Sequence, residues 1–180
     1  MIQKKNLFIL LSITLLSCYN RSFENFNFDL LTIDKNVTQL NTKFIEGLDP
    51  LKFEELLADW NFTSKDQSFS SEKIINKEFI KKNYGVLYTI NVEGNLKIKS
   101  LQFTIESESE INESKLDFLI KAVSIRIPQV DIDKIKNWTK QNIPIINEKF
   151  SKATILSNIY YRLQKSEKNK YSLHIKNYGS

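Results

Sequence analysis

Side chains that could carry acid–base chemistry are few in this sequence of 180 residues. His174 is the single imidazole, and it stands between Leu173 and Ile175, where the alternation of apolar residues places it on the wetter side of a strand. A nucleophile elbow needs a serine flanked by glycines, and a phosphate loop needs closely spaced glycines; the sequence contains neither pattern. His174 is therefore interpreted as a surface residue, and nucleotide chemistry is not expected.

Carboxylates form the second candidate group. Glu106, Glu108 and Glu110 alternate, and Glu113 and Asp117 follow. Such a set could bind a hard cation through oxygen ligands or serve a carboxylate-based enzyme. It lacks the Gly and Asn turns of a calcium loop, so we interpret it as a solvated strand end followed by a first helical turn, where acids favour the helix dipole. With one Cys and one His, a zinc cluster or an internal disulfide cannot form, and no cofactor is predicted.

The single cysteine, Cys18, follows a distinctive segment. Lys4 and Lys5 precede an apolar run from Leu7 to Leu16, which is the outline of a secretion signal. The run is about ten residues long, whereas a helix needs roughly 20 residues to cross a bilayer. The segment is therefore too short for a permanent transmembrane anchor.

The run ends in Leu15-Leu16-Ser17-Cys18, which resembles the lipobox of bacterial lipoproteins. The resemblance covers about a tenth of the chain. It implies that the Cys18 sulfur accepts a diacylglyceryl group, that a peptidase cuts the Ser17-Cys18 bond, and that the freed amine is then acylated. Two or three acyl chains anchor a protein stably, whereas one binds only marginally. Residues 1–17 are thus predicted to be a signal peptide, and 18–28 a lipidated N-terminus with a short tether.

The resemblance also implies a location, which is the bacterial cell envelope with the membrane as a partner through the lipid on Cys18. Tyr19 rather than Asp follows the cysteine, which by the sorting rule of some two-membrane bacteria favours the outer membrane. The alternative is an ordinary secretory signal cut elsewhere, with Cys18 incidental. No A-x-A cleavage site lies nearby to support that alternative.

The net charge of +5 first suggests a nucleic-acid partner. Only three residues are arginine, at Arg21, Arg126 and Arg162, and they are scattered. Base readout and bidentate phosphate contacts favour arginine clusters. We therefore expect no nucleic-acid partner.

The first half of the chain contains signals for both helix and strand. Asp49-Pro50 is a helix start, and the apolar spacing that follows predicts a helix over about 50–60. Residues 73–82 fit either a helix or a strand, and we favour a helix. From Val86 the period is two, and Gly94-Asn95 predicts the turn of a β-hairpin. Ile98 has the opposite parity to Leu101, which predicts either a bulge near Ser100 or a strand buried on both faces.

The second half repeats these signals. Asn112 and Asp131 each predict the start of a helix. Residues 153–163 alternate as one strand, and a turn at 166–169 leads to a returning strand around Leu173. The order helix, hairpin, two helices, hairpin predicts an α+β fold, in which an antiparallel sheet built from two hairpins has helices packed on one face. Residues 29–180 are predicted to form a single domain.

Three tyrosines suggest a binding surface, namely Tyr160, Tyr161 and Tyr171, because exposed tyrosine is common at interfaces. Adjacent residues of a strand face opposite sides, so Tyr160 and Tyr161 cannot both be in the core. The leading hypothesis is a membrane-anchored envelope lipoprotein with a non-enzymatic interaction domain that binds a protein partner, for example an immunity or inhibitor protein. The alternatives are a carrier of a small ligand or lipid, and a carboxylate-based enzyme.

Overall fold

The computed structural model describes residues 32–33, 43–65 and 77–178. It confirms the mixed α+β class, with one eight-stranded sheet in the order β1-β6-β7-β8-β5-β4-β3-β2. The pairing of β1 with β6 is parallel and all other pairings are antiparallel. The strands are β1 Thr32–Ile33, β2 Thr63–Ser64, β3 Lys77–Asn83, β4 Val86–Gly94, β5 Ile98–Ser107, β6 Lys152–Leu156, β7 Ile159–Glu167 and β8 Lys170–Asn177.

The described residues contain three helices, α1 (Pro50–Asp59), α2 (Glu113–Ala122) and α3 (Ile132–Asn142). Each begins after a short polar side chain that accepts hydrogen bonds from backbone N–H groups of the first turn. The Asp49 carboxylate accepts from Leu51 and Lys52, at 2.9 and 3.2 Å. The caps of α2 and α3 are Asn112 and Asp131. These starts lie where the sequence places them.

The helix favoured over residues 73–82 is wrong where the structure describes it, because Lys77–Asn83 is strand β3 and pairs along its whole length with β4. Residues 73–76 lie outside the described residues. Phe79 is buried while Ile80 is only half-buried, which is the alternation of a strand. The turn to β4 is Tyr84-Gly85, and both residues have positive φ angles, as two-residue hairpins require. Pairing with β4 thus decides a segment that is ambiguous by itself.

The hairpin of β4 and β5 contains the expected irregularity near Ser100. Glu93 pairs with Ser100 and Gly94 pairs with Ile98, so Lys99 is an extra residue on β5. The bulge allows both Ile98 and Leu101 to point into the core, although their separation is odd. Gly94 is required here, since a Cβ would lie 2.2 Å from the Lys97 carbonyl oxygen.

The single strand expected over residues 153–163 is also wrong. Ser157 and Asn158 have φ angles of 49° and 66° and form a two-residue turn between β6 and β7. Ile155 therefore faces away from Ile159 and Tyr161 rather than lying beside them. The sheet contains two three-stranded meanders, β3-β4-β5 and β6-β7-β8, with β2 and β1 at its two edges, and so has more strands than the two predicted hairpins.

The hydrophobic core lies on one side of the sheet, which we call the inner face. It combines alternate residues of β3, β4, β5, β7 and β8 with side chains of all three described helices. Phe118 of α2 is central, with ring centroids 5.1 Å from Tyr88, 5.7 Å from Phe62 and 6.0 Å from Phe103. We call the opposite side, which carries the intervening residues, the outer face.

Candidate functional site

The predicted lipidation and cleavage residues, Cys18 and Ser17, lie outside the described residues, as does the whole tether 18–28. Within the ranges that the structure does describe, no helix has both the length and the apolar character needed to span a bilayer. Two surfaces of the described residues combine concavity with distinctive chemistry.

The first surface is the helix groove, a cleft of about 800 Å³ between α2, α3 and the end of the sheet at which β7 turns into β8. Isoleucine and leucine side chains form a seam along its wall, and polar and charged side chains make up the rest of its lining. The wall residues are Leu116, Ile120, Ile143 and Ile146. The groove is open to solvent and lies within the size range of pockets that accept ligands, roughly 300–1,000 Å³.

Charged residues stand at the rim of the helix groove on opposite walls. Glu113 and Asp117 belong to α2, whereas Lys140 belongs to α3. Tyr171 closes the sheet end of the groove, and the Lys165 ammonium lies 5.2 Å from the centroid of its ring. An apolar floor with opposite charges on its two rims suits an amphipathic occupant.

The second surface is the outer patch, defined as Glu93, Lys99, Tyr160, Arg162, His174 and Lys176 on the outer face. These side chains border a depression of about 500 Å³. Sheet register brings them together, because Arg162 and His174 are direct cross-strand partners, and so are Tyr160 and Lys176. Cross-strand neighbours on one face have Cβ atoms about 5 Å apart. The outer patch is thus built on four strands, β4, β5, β7 and β8, rather than on loops.

The outer patch carries excess positive charge. Glu93 is its one carboxylate and is bound locally, accepting from the Lys99 ammonium and the Ser100 hydroxyl, each at 2.9 Å. These hydrogen bonds lower the pKa of Glu93. The pKa of His174 is lowered as well, first by desolvation and then by the positive charges of Arg162 and Lys176. The electrostatic potential at the imidazole therefore disfavours a further cation and favours an anion.

The three tyrosines of the predicted binding surface do not lie together. Tyr161 is 1% exposed in the core, and burial raises its pKa far above the ordinary value. Tyr160 lies half-buried in the outer patch, and Tyr171 lies half-buried at the helix groove. The expected opposition of Tyr160 and Tyr161 is observed, and it divides the tyrosines between two different surfaces.

The carboxylate cluster is dispersed over the strand end and the loop that follows. Glu106 pairs with Lys170 at 3.0 Å on the surface, while Glu108 and Glu110 are exposed. Among the residues that the structure describes, no three His, Cys, Asp or Glu side chains are grouped so as to hold a metal ion. His174 is exposed on the outer face, as its place in the alternation indicates.

Sequence reasoning misses Arg162 and Lys176 as site residues, because their partners come from strands distant in the chain. It also misses Tyr84, which is 97% exposed with a φ of 45° at the tip of the β3-β4 hairpin. The sequence signal for Tyr84 was Gly85 directly after it, which is typical of a tight hairpin turn. An aromatic residue at such a position is unusual.

Comparison of the chain with protein-family models, with curated proteins and with solved structures finds no match.

Proposed function

We propose that this protein is a bacterial envelope lipoprotein that is anchored through lipid on Cys18 and binds another protein without performing chemistry. The lipobox residues Leu15 to Cys18 support the anchor. The observation that carries the binding role is the helix groove, an 800 Å³ cleft with an aliphatic seam and charged rims, in a domain where the candidate catalytic groups are dispersed. An immunity or inhibitor protein that captures one partner at the membrane is the concrete form of this function.

The anchor keeps the groove near the membrane. Strand β1 begins at Thr32, fourteen residues after Cys18. A chain extends by at most about 3.6 Å per residue, so Thr32 lies within roughly 50 Å of the lipidated residue. A partner that arrives at or resides in the membrane is therefore within reach of the domain.

The groove favours a protein segment over a small lipid as occupant. Ile120 is half-buried and Ile143 is 9% exposed, so the wall is partly accessible along an open cleft rather than an enclosed chamber. Carriers of lipids bury most of the ligand surface. The rim charges of Glu113 and Lys140 on opposite walls match an amphipathic helix or hairpin of a partner. A small-ligand or lipid carrier is the alternative function.

The first experiment is an affinity purification of the tagged full-length protein from gently solubilised native membranes, beside Cys18→Ser. Intact mass measures the anchor: the wild type gains the mass of its acyl chains and Cys18→Ser does not. The proposal expects one protein to co-purify near stoichiometrically. An unmodified Cys18 in the wild type would refute the anchoring role.

The second experiment assigns the partner to the groove. Ile120→Glu places a charge on the apolar wall and is expected to remove the partner. Leu51→Glu is the matched control, since Leu51 is 58% exposed on α1 outside the groove and its substitution leaves binding intact. Thermal unfolding of each variant verifies that the fold is kept. Equal binding by both variants contradicts the groove assignment, and native mass spectrometry showing a retained lipid supports the carrier.

A further inference from the structure

We propose that the outer patch is a binding site for a phosphate group, with Arg162 as its principal ligand. This inference goes beyond the proposed protein-binding function, because it concerns the opposite side of the sheet from the helix groove. The site consists of Arg162 and His174 side by side on β7 and β8, with Tyr160 and Lys176 as the next pair along the same strands. These residues surround a depression of about 500 Å³.

The guanidinium of Arg162 is held in place by a hydrogen bond that occupies one of its N–H donors. Its Nε donates to the Ser151 hydroxyl at 3.3 Å, which fixes the side chain from the neighbouring strand connection. Arginine has five N–H donors, so the terminal nitrogens are left to face the depression. A planar fork of two parallel N–H groups is the geometry that binds two phosphate oxygens at once.

Additional donors and charge surround this fork. The side chains of Tyr160 and Tyr178 border the same depression, together with Lys99 and Lys176. The Lys176 ammonium lies 5.7 Å from the centroid of the Tyr160 ring. Glu93, the carboxylate of the outer patch, is bound by Lys99 and Ser100. With Lys99, Arg162 and Lys176 against one carboxylate, the lining carries an excess of two positive charges, which a dianion balances better than a single carboxylate does.

Rigid strands make the arrangement specific. Like charges that are direct or diagonal neighbours on a sheet repel one another and destabilise it. Arg162 and Lys176 are diagonal neighbours in the register of β7 and β8. A bound dianion between them relieves this repulsion, so occupancy and stability of the sheet are coupled.

The single histidine of the chain provides a direct probe. The experiment uses the full mature chain in zwitterionic detergent, labelled with ¹³C at the histidine Cε1, so that one imidazole resonance reports on the outer patch. Sodium phosphate is titrated at pH 7.5 beside sodium chloride at matched ionic strength. We expect a saturable shift with phosphate alone, and a higher pKa of His174 in the bound state because the dianion favours the imidazolium. Equal shifts of the His174 resonance in chloride and in phosphate would mean that ionic screening alone causes them, and would overturn the proposed site.

Two arginine variants locate the binding. Arg162→Gln is expected to weaken phosphate binding about tenfold or more, because a charged bidentate contact is lost. Arg126→Gln is the matched control, since Arg126 is exposed on the connection between α2 and α3 and lies outside the patch. An equal loss of phosphate affinity in Arg162→Gln and Arg126→Gln refutes the assignment of the phosphate site to the outer patch. If Arg162→Gln does not fold, Arg162→Lys replaces it, since it keeps the charge and removes the fork.

A lipid arm distinguishes the source of the phosphate group. The same resonance is followed in bicelles of phosphatidylcholine alone and with added phosphatidylglycerol. A response to inorganic phosphate but not to phosphatidylglycerol identifies a soluble phosphate ligand, and a response to both identifies a site that also accepts a lipid headgroup. Absence of any response in every arm overturns the proposal.

Discussion

The two faces of the sheet are made by the same strands and have opposite chemistry. On the inner face, Phe103 and Leu173 are cross-strand partners and neither is exposed to solvent. The neighbouring pair is Gln102, just before Phe103 on β5, and His174, just after Leu173 on β8. Both have polar side chains on the outer face. Alternation of side chains along a strand produces this difference.

The contrast separates the positions that specify the fold from those available for function. An inner residue contacts the helices, and its size and shape are constrained by close packing. An outer residue is constrained mainly by its cross-strand neighbours, so charge can collect there at little cost to the fold. The charged residues of the outer patch occupy such positions. The helix groove instead lies where α2, α3 and the inner face of the sheet leave a cleft between them.

The largest expected effect breaks the inner face. Phe103→Ala removes a side chain with 0% exposure and its contact with Phe118, so the free energy of unfolding is expected to fall by about 3–5 kcal/mol. Gln102→Ala, the neighbouring outer position on β5, is expected to change it by less than about 0.5 kcal/mol. Urea unfolding of both variants measures the two values. Similar losses at both positions would contradict the division into two faces.

Ile155 does not follow the difference between the two faces. It lies on the outer face of β6, yet it is 0% exposed and stands apart from the hydrophobic core cluster. Ile155→Ala is therefore expected to cost about 2–4 kcal/mol, as at a core position. Ile80→Ala is the matched control, since Ile80 faces outward from β3 and is half-buried, and it is expected to cost less than half as much. Equal, small losses would show that the outer face is uniformly tolerant.

The sequence predicts well those features that depend on neighbours in the chain. The caps at Asp49, Asn112 and Asp131 and the Gly94 hairpin are local signals, and the structure has helices and a turn at these places. The bulge near Ser100 is one of two interpretations that the sequence offers, because Ile98 and Leu101 are apolar but would face opposite sides of a regular strand. Each of these features is decided by hydrogen bonds within a few residues.

Features that depend on distant partners are not predicted. Residues 77–83 form a strand because β4 pairs with them, and Ser157-Asn158 forms a turn although neither residue is glycine. A two-residue turn shifts the alternation by one position. The shift is hidden in the sequence because Ile155 and Leu156 are both apolar, so one long strand is not excluded by the pattern. The outer patch is not predicted from the sequence for a related reason. Arg162 and Lys99 are 63 positions apart in the chain, and only the order of the strands in the sheet brings them together.

The smallest expected effect concerns acid and tests the charge of the outer face. Desolvation, Arg162 and Lys176 hold the pKa of His174 below its ordinary value of 6.5. The groups that face or border the imidazole are Arg162 on β7, the neutral Gln102 on β5, Lys176 on the same strand, and Lys99 with its partner Glu93 across the depression. As the pH falls below 6.5, the unfolded chain takes up a proton that the folded chain resists. The free energy of unfolding therefore decreases until the folded pKa is passed.

Comparison of wild type with His174→Gln isolates this contribution. Urea unfolding at pH 7.5, 6.5 and 5.5 is expected to show a decline in the wild type that is shallower in the variant, while the two agree in slope above pH 7. Glu93 does not interfere, because its pKa is lowered from 4.5 and it stays ionised over this range. Identical pH dependence in both proteins would mean that the outer face carries no excess positive potential at His174. Repeating the series with sulfate, a phosphate analogue that stays doubly charged over this pH range, tests the proposed anion site in the same way. A dianion bound beside Arg162 favours the imidazolium, so the decline should shrink in the wild type and stay unchanged in His174→Gln.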